Sequence, residues 1–423
     1  MRNACTRAGV DSITQLAPGT RVSCTFAGAP TEGTYITDRD GKAVIKLDNG
    51  YNIGVEPASL AFLSKGEPSP PFRADVAQNP QLPELSIIST GGTIASRVDY
   101  RTGAVTSQFT AEDILGAIPG LADIARFRAE VLASILSENM TAGIWKDLAR
   151  AVYRDIRNGV EGVIVTHGTD TMAYSAAAVS FMLETPVPVI FVGSQRSADR
   201  PSSDNVMNGL CSAAAATSDL GEVAMVMHAS TNDDACAIHR GTRVRKMHTS
   251  RRDAFRSFGM APLGTVQYPS LDVSLSGEAK RRRDDEPVLH GTLEEKVGLL
   301  TFYPGMDPAL LFAYERCRGL VISGTGLGHI SAEMIAGIRR LTDAGTTVVM
   351  TSQCLNGRVC DRVYDTGRDL LAAGIIEGEE MLPEVAYVKL MWVLGQTDDT
   401  EEIRRMMETP LRGEFGRCSA HGL

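Results

Sequence analysis

The chain has 423 residues, 43% of them hydrophobic and 22% charged, with a formal net charge of −9. That length holds two or three domains with ample core, and the acidic balance excludes a surface that coats nucleic acid generally, though not a local basic patch. No apolar run approaches the ~18 residues of a membrane span, and the start, Met1 to Cys5, lacks the apolar stretch of a secretory signal.

Residues 1–75 read as a small β domain, a half-open barrel. Strands are expected at Arg21–Phe26, Gly33–Ile36 and Ala43–Leu47, with turn signals at Asp38 to Gly41 and at Asp48-Asn49-Gly50. A Pro-rich stretch follows, and residues 76–84 read as an extended linker. From Leu85 strands alternate with helices, the pattern of a doubly wound α/β layer. Leu85–Ser89, Gly162–Thr166, Val187–Val192 and Val223–Met227 read as buried parallel strands, and Ala111–Ala117 and Thr141–Arg157 as helices.

Residues 85–268 are expected to form the first α/β domain and residues 269–295 an interdomain loop. The loop contains Lys280-Arg281-Arg282-Arg283, directly followed by Asp284-Asp285-Glu286, which neutralise its field, so a solvated loop is expected there. Residues 296–423 read as a smaller α/β domain with strands at Val297–Thr301, Gly319–Ile322 and Thr346–Met350. Gly324-Thr325-Gly326-Leu327-Gly328 lacks the third glycine of a dinucleotide fingerprint, since position 329 is His, and reads as a tight strand-to-helix turn. The Gly- and charge-rich stretch from Leu411 is expected to be mobile. The eight cysteines show no Cys-x-x-Cys pair and no metal-ligand spacing; they fit a reducing cytoplasm and read as small core residues.

Two strand-to-turn junctions carry the chemistry. Leu85–Ser89 leads into Thr90-Gly91-Gly92-Thr93, and Gly162–Thr166 leads into His167-Gly168-Thr169-Asp170. In an open α/β sheet, ligands bind beyond the carboxyl ends of such strands. A threonine hydroxyl is a weak nucleophile and needs a neighbouring base or cation, oriented by a third group. Gly91-Gly92 let the backbone turn sharply before Thr93. Asp170 can anchor a cationic group beside Thr169, and a buried lysine there can act as a base, giving a triad by role. Read singly, each turn could be no more than a helix cap.

Together, Thr90 to Ser96 and Val163 to Met172 resemble the two signatures of the bacterial-type asparaginase–glutaminase family, and the resemblance extends over the chain from Leu85 onward. It implies an asparaginase-like pair of doubly wound α/β domains, here preceded by the small N-terminal β-barrel. It further implies that Thr93 is the primary nucleophile, Thr169 the second catalytic threonine, and Asp170 a group that also holds the substrate α-amino group. The family's catalytic lysine lies in a segment similar to Val244 to Ser250. Arg243, Arg245, Arg251 and Arg252 stay protonated and cannot be the base, so the lysine is placed at Lys246. The lid tyrosine resembles Tyr100 and the substrate-carboxylate serine resembles Ser137, with Glu138 and Asp170 forming a two-acid clamp on the substrate ammonium. The implied reaction is hydrolysis of a side-chain amide, with backbone N–H groups near Thr93 and Thr169 stabilising the oxyanion and no metal or organic cofactor in this chain.

The residues before Leu85, notably Glu32 to Tyr35 and Lys46 to Val55, resemble the β-barrel of one branch of that family, the glutaminase subunits of archaeal tRNA-dependent amidotransferases; Ser194-Gln195-Arg196 and Arg200 to Asp204 are similar to the same branch. The resemblance implies a cytoplasmic chain that hydrolyses glutamine and passes the ammonia to a partner, the amidotransferase E subunit, which uses ATP and Mg and makes most of the contacts to Glu-tRNA(Gln). It implies a homodimer within a heterotetramer and no membrane association. The competing readings are a free-standing cytoplasmic asparaginase with an unrelated extra domain, and a non-catalytic scaffold that kept the fold.

Overall fold

The computed structural model describes residues 16, 19–39, 41–48, 52–64, 78–91, 97–98, 105–106, 115, 118–196 and 202–419. Strands β1 (Arg21–Phe26), β2 (Ala29–Arg39), β3 (Lys42–Leu47), β4 (Asn52–Val55) and β5 (Ala61–Ser64) form an antiparallel sheet in the order β4-β3-β2-β1-β5. Val22, Cys24, Tyr35, Ala43, Ile45 and Val55 form its own core, as the period-two alternation of a strand requires. Register shifts at Arg21/Val22 and Tyr35/Thr37 bend the strands, the device by which a short sheet curls toward a barrel. The three expected strands are all present, the second running longer than expected; the Asn49-Gly50 turn lies outside the described residues.

By contacts the chain forms two compact units. One comprises Met1–Arg73, Ser96–Ser107 and Asp199–Ser203, the other Ala74–Ala95, Gln108–Ala198 and Asp204–Leu423. In the second unit, β6 (Glu84–Gly91) opens the large sheet; β7 (Arg97–Val98) and β8 (Val105–Thr106) are a two-stranded ladder grouped with the first unit. Next come β9 (Arg126–Ile135), helix α1 (Ala142–Arg157), β10 (Gly162–Thr166), α2 (Met172–Met182), the short β11 (Leu183–Glu184), β12 (Val189–Val192), α3 (Asn205–Ala216), β13 (Val223–His228) and β14 (Ala235–Arg240). A hairpin of β15 (Val244–Lys246) and β16 (Phe255–Ser257) precedes β17 (Gly264–Gln267) and β18 (Val273–Leu275).

The eight-stranded sheet has the order β18-β17-β14-β13-β12-β10-β6-β9. The run β9-β6-β10-β12-β13 is parallel; β6, β10, β12 and β13 are buried on both faces, which is why they read as continuous apolar runs, whereas β9, at the sheet edge, is only half-buried and carries charged residues. Helix α3 covers one face through Met207, Leu210 and Ala213; α1 and α2 cover the other through Leu148, Val152, Met172 and Val179. Of the expected helix at 111–117 only Leu115 is described.

The sheet continues past residue 268, where the first α/β domain was expected to end. Val273–Leu275 pairs with β17 as its edge strand, a three-residue strand too short to stand out among charged and Gly-rich neighbours. The basic run is no free patch: Arg282 donates to the carbonyls of Glu161 and Ser218, at 2.7 and 3.0 Å, and Arg283 to that of Thr185 at 3.3 Å. It straps the segment onto the first α/β domain.

After β19 (Val288–Leu289), the smaller domain has a parallel sheet of β20 (Val297–Thr301), β21 (Gly319–Gly324), β22 (Thr347–Ser352) and β23 (Ile376–Glu377), in that order. Helices α4 (Ala332–Asp343) and α5 (Asp365–Ala372) lie on one face. On the other lies α6 (Pro383–Gln396), whose Leu390 and Met391 join a core that also takes in Phe181 and Met182 of α2. Helix α2 is therefore buried on nearly every side, the environment an all-round apolar helix requires. The Gly324–Gly328 segment is a tight turn closed by the Thr325–His329 bridge. Helix α7 (Thr400–Met407) follows, and the residues after it are packed rather than loose: Glu414 and Phe415 are buried. Among the described cysteines, Cys24, Cys211 and Cys236 are buried, whereas Cys354 and Cys418 are exposed, so the expectation of core residues holds only in part.

Candidate active site

Two parallel strand ends and one hairpin converge at the carboxyl edge of the large sheet. At the end of β6, Gly91 has φ +118°, and a Cβ there would stand 2.4 Å from the Ile135 carbonyl oxygen; only glycine meets both demands. Thr90 Oγ1 donates to the Thr166 carbonyl at 3.1 Å, which ties the end of β6 to the end of β10. Thr93 follows two residues later. It and Tyr100 lie outside the described residues.

Beyond β10 the chain runs through His167-Gly168-Thr169-Asp170-Thr171 into α2. Lys246, the last residue of β15, reaches this turn from the neighbouring hairpin. Its Nζ stands 2.8 Å from Thr169 Oγ1 and 2.8 Å from Asp170 Oδ1. The lysine side chain is 14% exposed and that of Asp170 69%. The amine is thus held away from bulk water on one side, while the carboxylate fixes its direction and still faces solvent. A hydroxyl, an amine and a carboxylate in this chain of contacts can relay a proton to or from Thr169.

Ser137 comes to the same turn from the end of β9. Thr171 Oγ1 donates to the Ser137 carbonyl at 2.7 Å. A Cβ on Gly168 would stand 2.7 Å from Ser137 Cβ, so the close approach of serine to this turn depends on glycine. Glu138, on the same short 3₁₀ turn (Ser137–Asn139), is exposed. The structure therefore brings together Ser137, Thr169, Asp170 and Lys246 of the residues expected from sequence, with Glu138 adjoining. Among the described residues, no group of three or more His, Cys, Asp or Glu side chains could hold a metal ion.

Sequence reasoning missed the support behind the site. Gly193, directly after β12, packs so that a Cβ would lie 2.8 Å from both the His167 carbonyl oxygen and Thr169 Cγ2. Asn208 Nδ2 donates to the Gly193 carbonyl at 3.0 Å and to Asp204 Oδ2 at 2.9 Å. Asp204, fully buried, also accepts from Ser194 Oγ and from the backbone N–H of Gln195 and Arg196, at 2.8 to 2.9 Å. A glycine immediately after a buried parallel strand was the available signal. His167 is a further support: its Nδ1 donates to the Gly168 carbonyl at 2.7 Å, and burial pushes its pKa down to about 4, so the ring is neutral.

The sequence model described as "Asparaginase, N-terminal" matches residues 84–278, and that described as "Glutaminase/Asparaginase C-terminal domain" matches residues 296–407. The D subunit of glutamyl-tRNA(Gln) amidotransferase from Methanosarcina mazei is 52% identical over 418 residues, covering 95% of this chain and 98% of its own length. The protein of that name from Archaeoglobus fulgidus is 53% identical over 406 residues, covering 96% of both chains. Among solved structures, the thermostable L-asparaginase from Thermococcus kodakarensis is similar with a TM-score of 0.70 and 31% identity, over 79% of this chain and 99% of its own.

Proposed function

Since the chain belongs to the asparaginase–glutaminase family, in the branch of the glutamyl-tRNA(Gln) amidotransferase D subunits, we infer that it is the glutaminase subunit of a tRNA-dependent amidotransferase. It hydrolyses glutamine to glutamate and ammonia, and a partner uses the ammonia to convert Glu-tRNA(Gln) to Gln-tRNA(Gln). One observation carries this reading over that of a free asparaginase. The asparaginase likeness covers 79% of the chain, whereas likeness to the amidotransferase subunits covers 95–96% and so reaches into the N-terminal sheet.

In the proposed reaction, Thr93 Oγ bonds to the side-chain carbonyl carbon of glutamine and its proton passes to the site. The amide nitrogen takes a proton and leaves as ammonia, and water then cleaves the ester to glutamate. Lys246, 2.8 Å from Thr169 Oγ1, exchanges the proton through that hydroxyl; Asp170 holds the amine and, with Glu138, receives the substrate ammonium; Ser137 binds the substrate carboxylate and Tyr100 closes over it. This chain's step uses no cofactor. ATP and Mg serve the partner, the amidotransferase E subunit, which carries most of the tRNA contacts, in a cytoplasmic heterotetramer built on a homodimer of this chain. Among the described residues no helix is long and apolar enough to cross a membrane.

Ammonia release from glutamine, measured with and without that partner and Glu-tRNA(Gln), tests the reading. Strong stimulation by the complete mixture is expected. Fast, unstimulated turnover with a preference for asparagine would overturn it in favour of a free asparaginase.

A further inference from the structure

Lys246 rides on a weak element. Its strand β15 is three residues long and, among the described residues, pairs only with the three residues of β16, and a lone two-stranded hairpin has marginal stability of its own. Something else must hold the lysine against Thr169. Val244 and Phe255 anchor the hairpin in the core below. The residues entering it, Thr242 and Arg243, are held by a segment 170 residues away in sequence: Thr242 Oγ1 donates to the Arg412 carbonyl at 3.1 Å, and Arg243 Nε to the Gly413 carbonyl at 2.8 Å.

That segment, 411–416, lies beyond the match to the C-terminal family domain, and it is pinned on several sides. Glu414 accepts from the N–H of Leu411 and Arg412, at 3.1 and 2.7 Å, and pairs with Lys389 of α6 at 2.6 Å, with both side chains fully buried. Glu380 Oε1 accepts from the Gly416 N–H at 2.8 Å and pairs with Arg243 at 2.8 Å. Arg412 Nε donates at 2.8 Å to the Ser180 carbonyl in the last turn of α2, the helix whose entry turn carries Thr169 and Asp170. Gly413 has φ +72°, and a Cβ there would stand 2.8 Å from Arg240 Nη1, so this course of the backbone requires glycine.

We propose that residues 411–416 form a positioning strap, clamped between α2 and the strand leading to Lys246, that sets the distance of the lysine amine from Thr169 and Asp170. The proposal rests on the catalytic reading of Lys246 given above. Glu414 is the anchor, and Thr242, Arg243 and Gly413 are positioning residues. None touches the reacting atoms. They act by fixing the start of β15, and a misplacement near 1 Å is enough to slow such chemistry by up to about a hundredfold.

The test is partner-stimulated glutamine hydrolysis at 25 °C by Thr242→Val, Thr242→Ser and Gly413→Ala, beside the parent chain and Lys246→Ala. Thr242→Val keeps the shape and removes only the donor to Arg412; Thr242→Ser keeps the donor. The expected result is a fall in kcat of about tenfold for Thr242→Val and more for Gly413→Ala, with KM for glutamine within twofold and the acid limb of the kcat–pH profile displaced. Thr242→Ser should return to near the parent value. Circular dichroism and the unfolding midpoint establish that each variant is folded at the assay temperature. An inactive parent, or an unaffected Lys246→Ala, defeats the catalytic reading itself. An active parent with a dead Lys246→Ala, together with folded Thr242→Val and Gly413→Ala that keep kcat and pH profile, overturns the strap alone.

Discussion

The buried pair Lys389–Glu414 is the sharpest energetic test of how this segment is held. Nζ stands 2.6 Å from Oε1 and neither side chain is exposed. At an effective dielectric of about 20, unit charges that close attract by about 6 kcal/mol, and desolvating each ion costs several kcal/mol, so the intact pair adds little net stability. Breaking it is different. Lys389→Met leaves a buried carboxylate with, among the described residues, two backbone N–H donors, those of Leu411 and Arg412. Glu414→Gln leaves a buried ammonium with the carbonyls of Met407 and Thr409, at 2.9 and 2.7 Å. Each single change should cost about 3–5 kcal/mol. The double variant removes both charges and should cost about 1–2 kcal/mol for the lost hydrogen bonds, so the cycle should give a coupling of at least about 4 kcal/mol. Urea titration followed by tryptophan fluorescence measures it, since Trp392 lies one turn from Lys389 on α6. Single variants within 1 kcal/mol of the parent, or strict additivity, would show that the two buried charges do not depend on each other.

Three further outcomes are expected. With Ser137 in its proposed role on the substrate carboxylate, Ser137→Ala should raise KM for glutamine by about tenfold or more with kcat little changed, because that contact supplies binding common to ground and transition states; steady-state kinetics checks this. His167 and His239 are buried with pKa values pushed down by burial to about 4 and about 3. The unfolded chain takes up these protons below about pH 6.5 and the folded chain does not, so stability present at neutral pH is lost as pH falls through that window, by about 3 kcal/mol for His167 near pH 4; urea midpoints between pH 7.5 and about 4.5 report it. Asp361 carries the opposite sign: burial, and then Glu377, push its carboxyl up to about 7, and neither oxygen has a hydrogen-bond partner among the described residues. Its folded form keeps the proton, so stability is lost as pH rises from about 4 to about 7, and Asp361→Asn should stabilise the chain at pH 8 by about 2 kcal/mol, read as a higher urea midpoint.

The parts of this fold that were legible in the sequence are those where one periodicity acts alone. Leu85–Ser89, Gly162–Thr166 and Val223–Met227 are buried on both faces, so their apolar runs are unbroken, and Thr141–Arg157 alternates like a helix half in the core. The Thr169–Asp170 turn was legible because glycine and hydroxyl residues follow a parallel strand. The hairpin carrying Lys246 was not, because three-residue strands have no measurable period; the lysine was located through family resemblance. Residues 411–416 misled through composition. Their charges signal solvent only when unpaired, and here Glu414 meets Lys389 while Arg412 meets backbone carbonyls. Asn208 and Asp204, which hold the Gly193 turn against Thr169, have no local sequence signal for that role, since the groups they fix, at Gly193 to Arg196, lie in the turn after β12, eight to fifteen residues back along the chain.

The proposed role of the Lys246 amine is to drive the chemistry at Thr169 within a partner-gated glutaminase. The most direct measurement is ammonia release from saturating glutamine by Lys246→Met, assembled with the ATP-using partner and Glu-tRNA(Gln) and confirmed as folded. A fall in kcat of about a thousandfold is expected, as on removing a positioned acid–base group, with the complex still formed. A variant that keeps more than about a tenth of the parent rate, barely 1.4 kcal/mol of barrier, would contradict it.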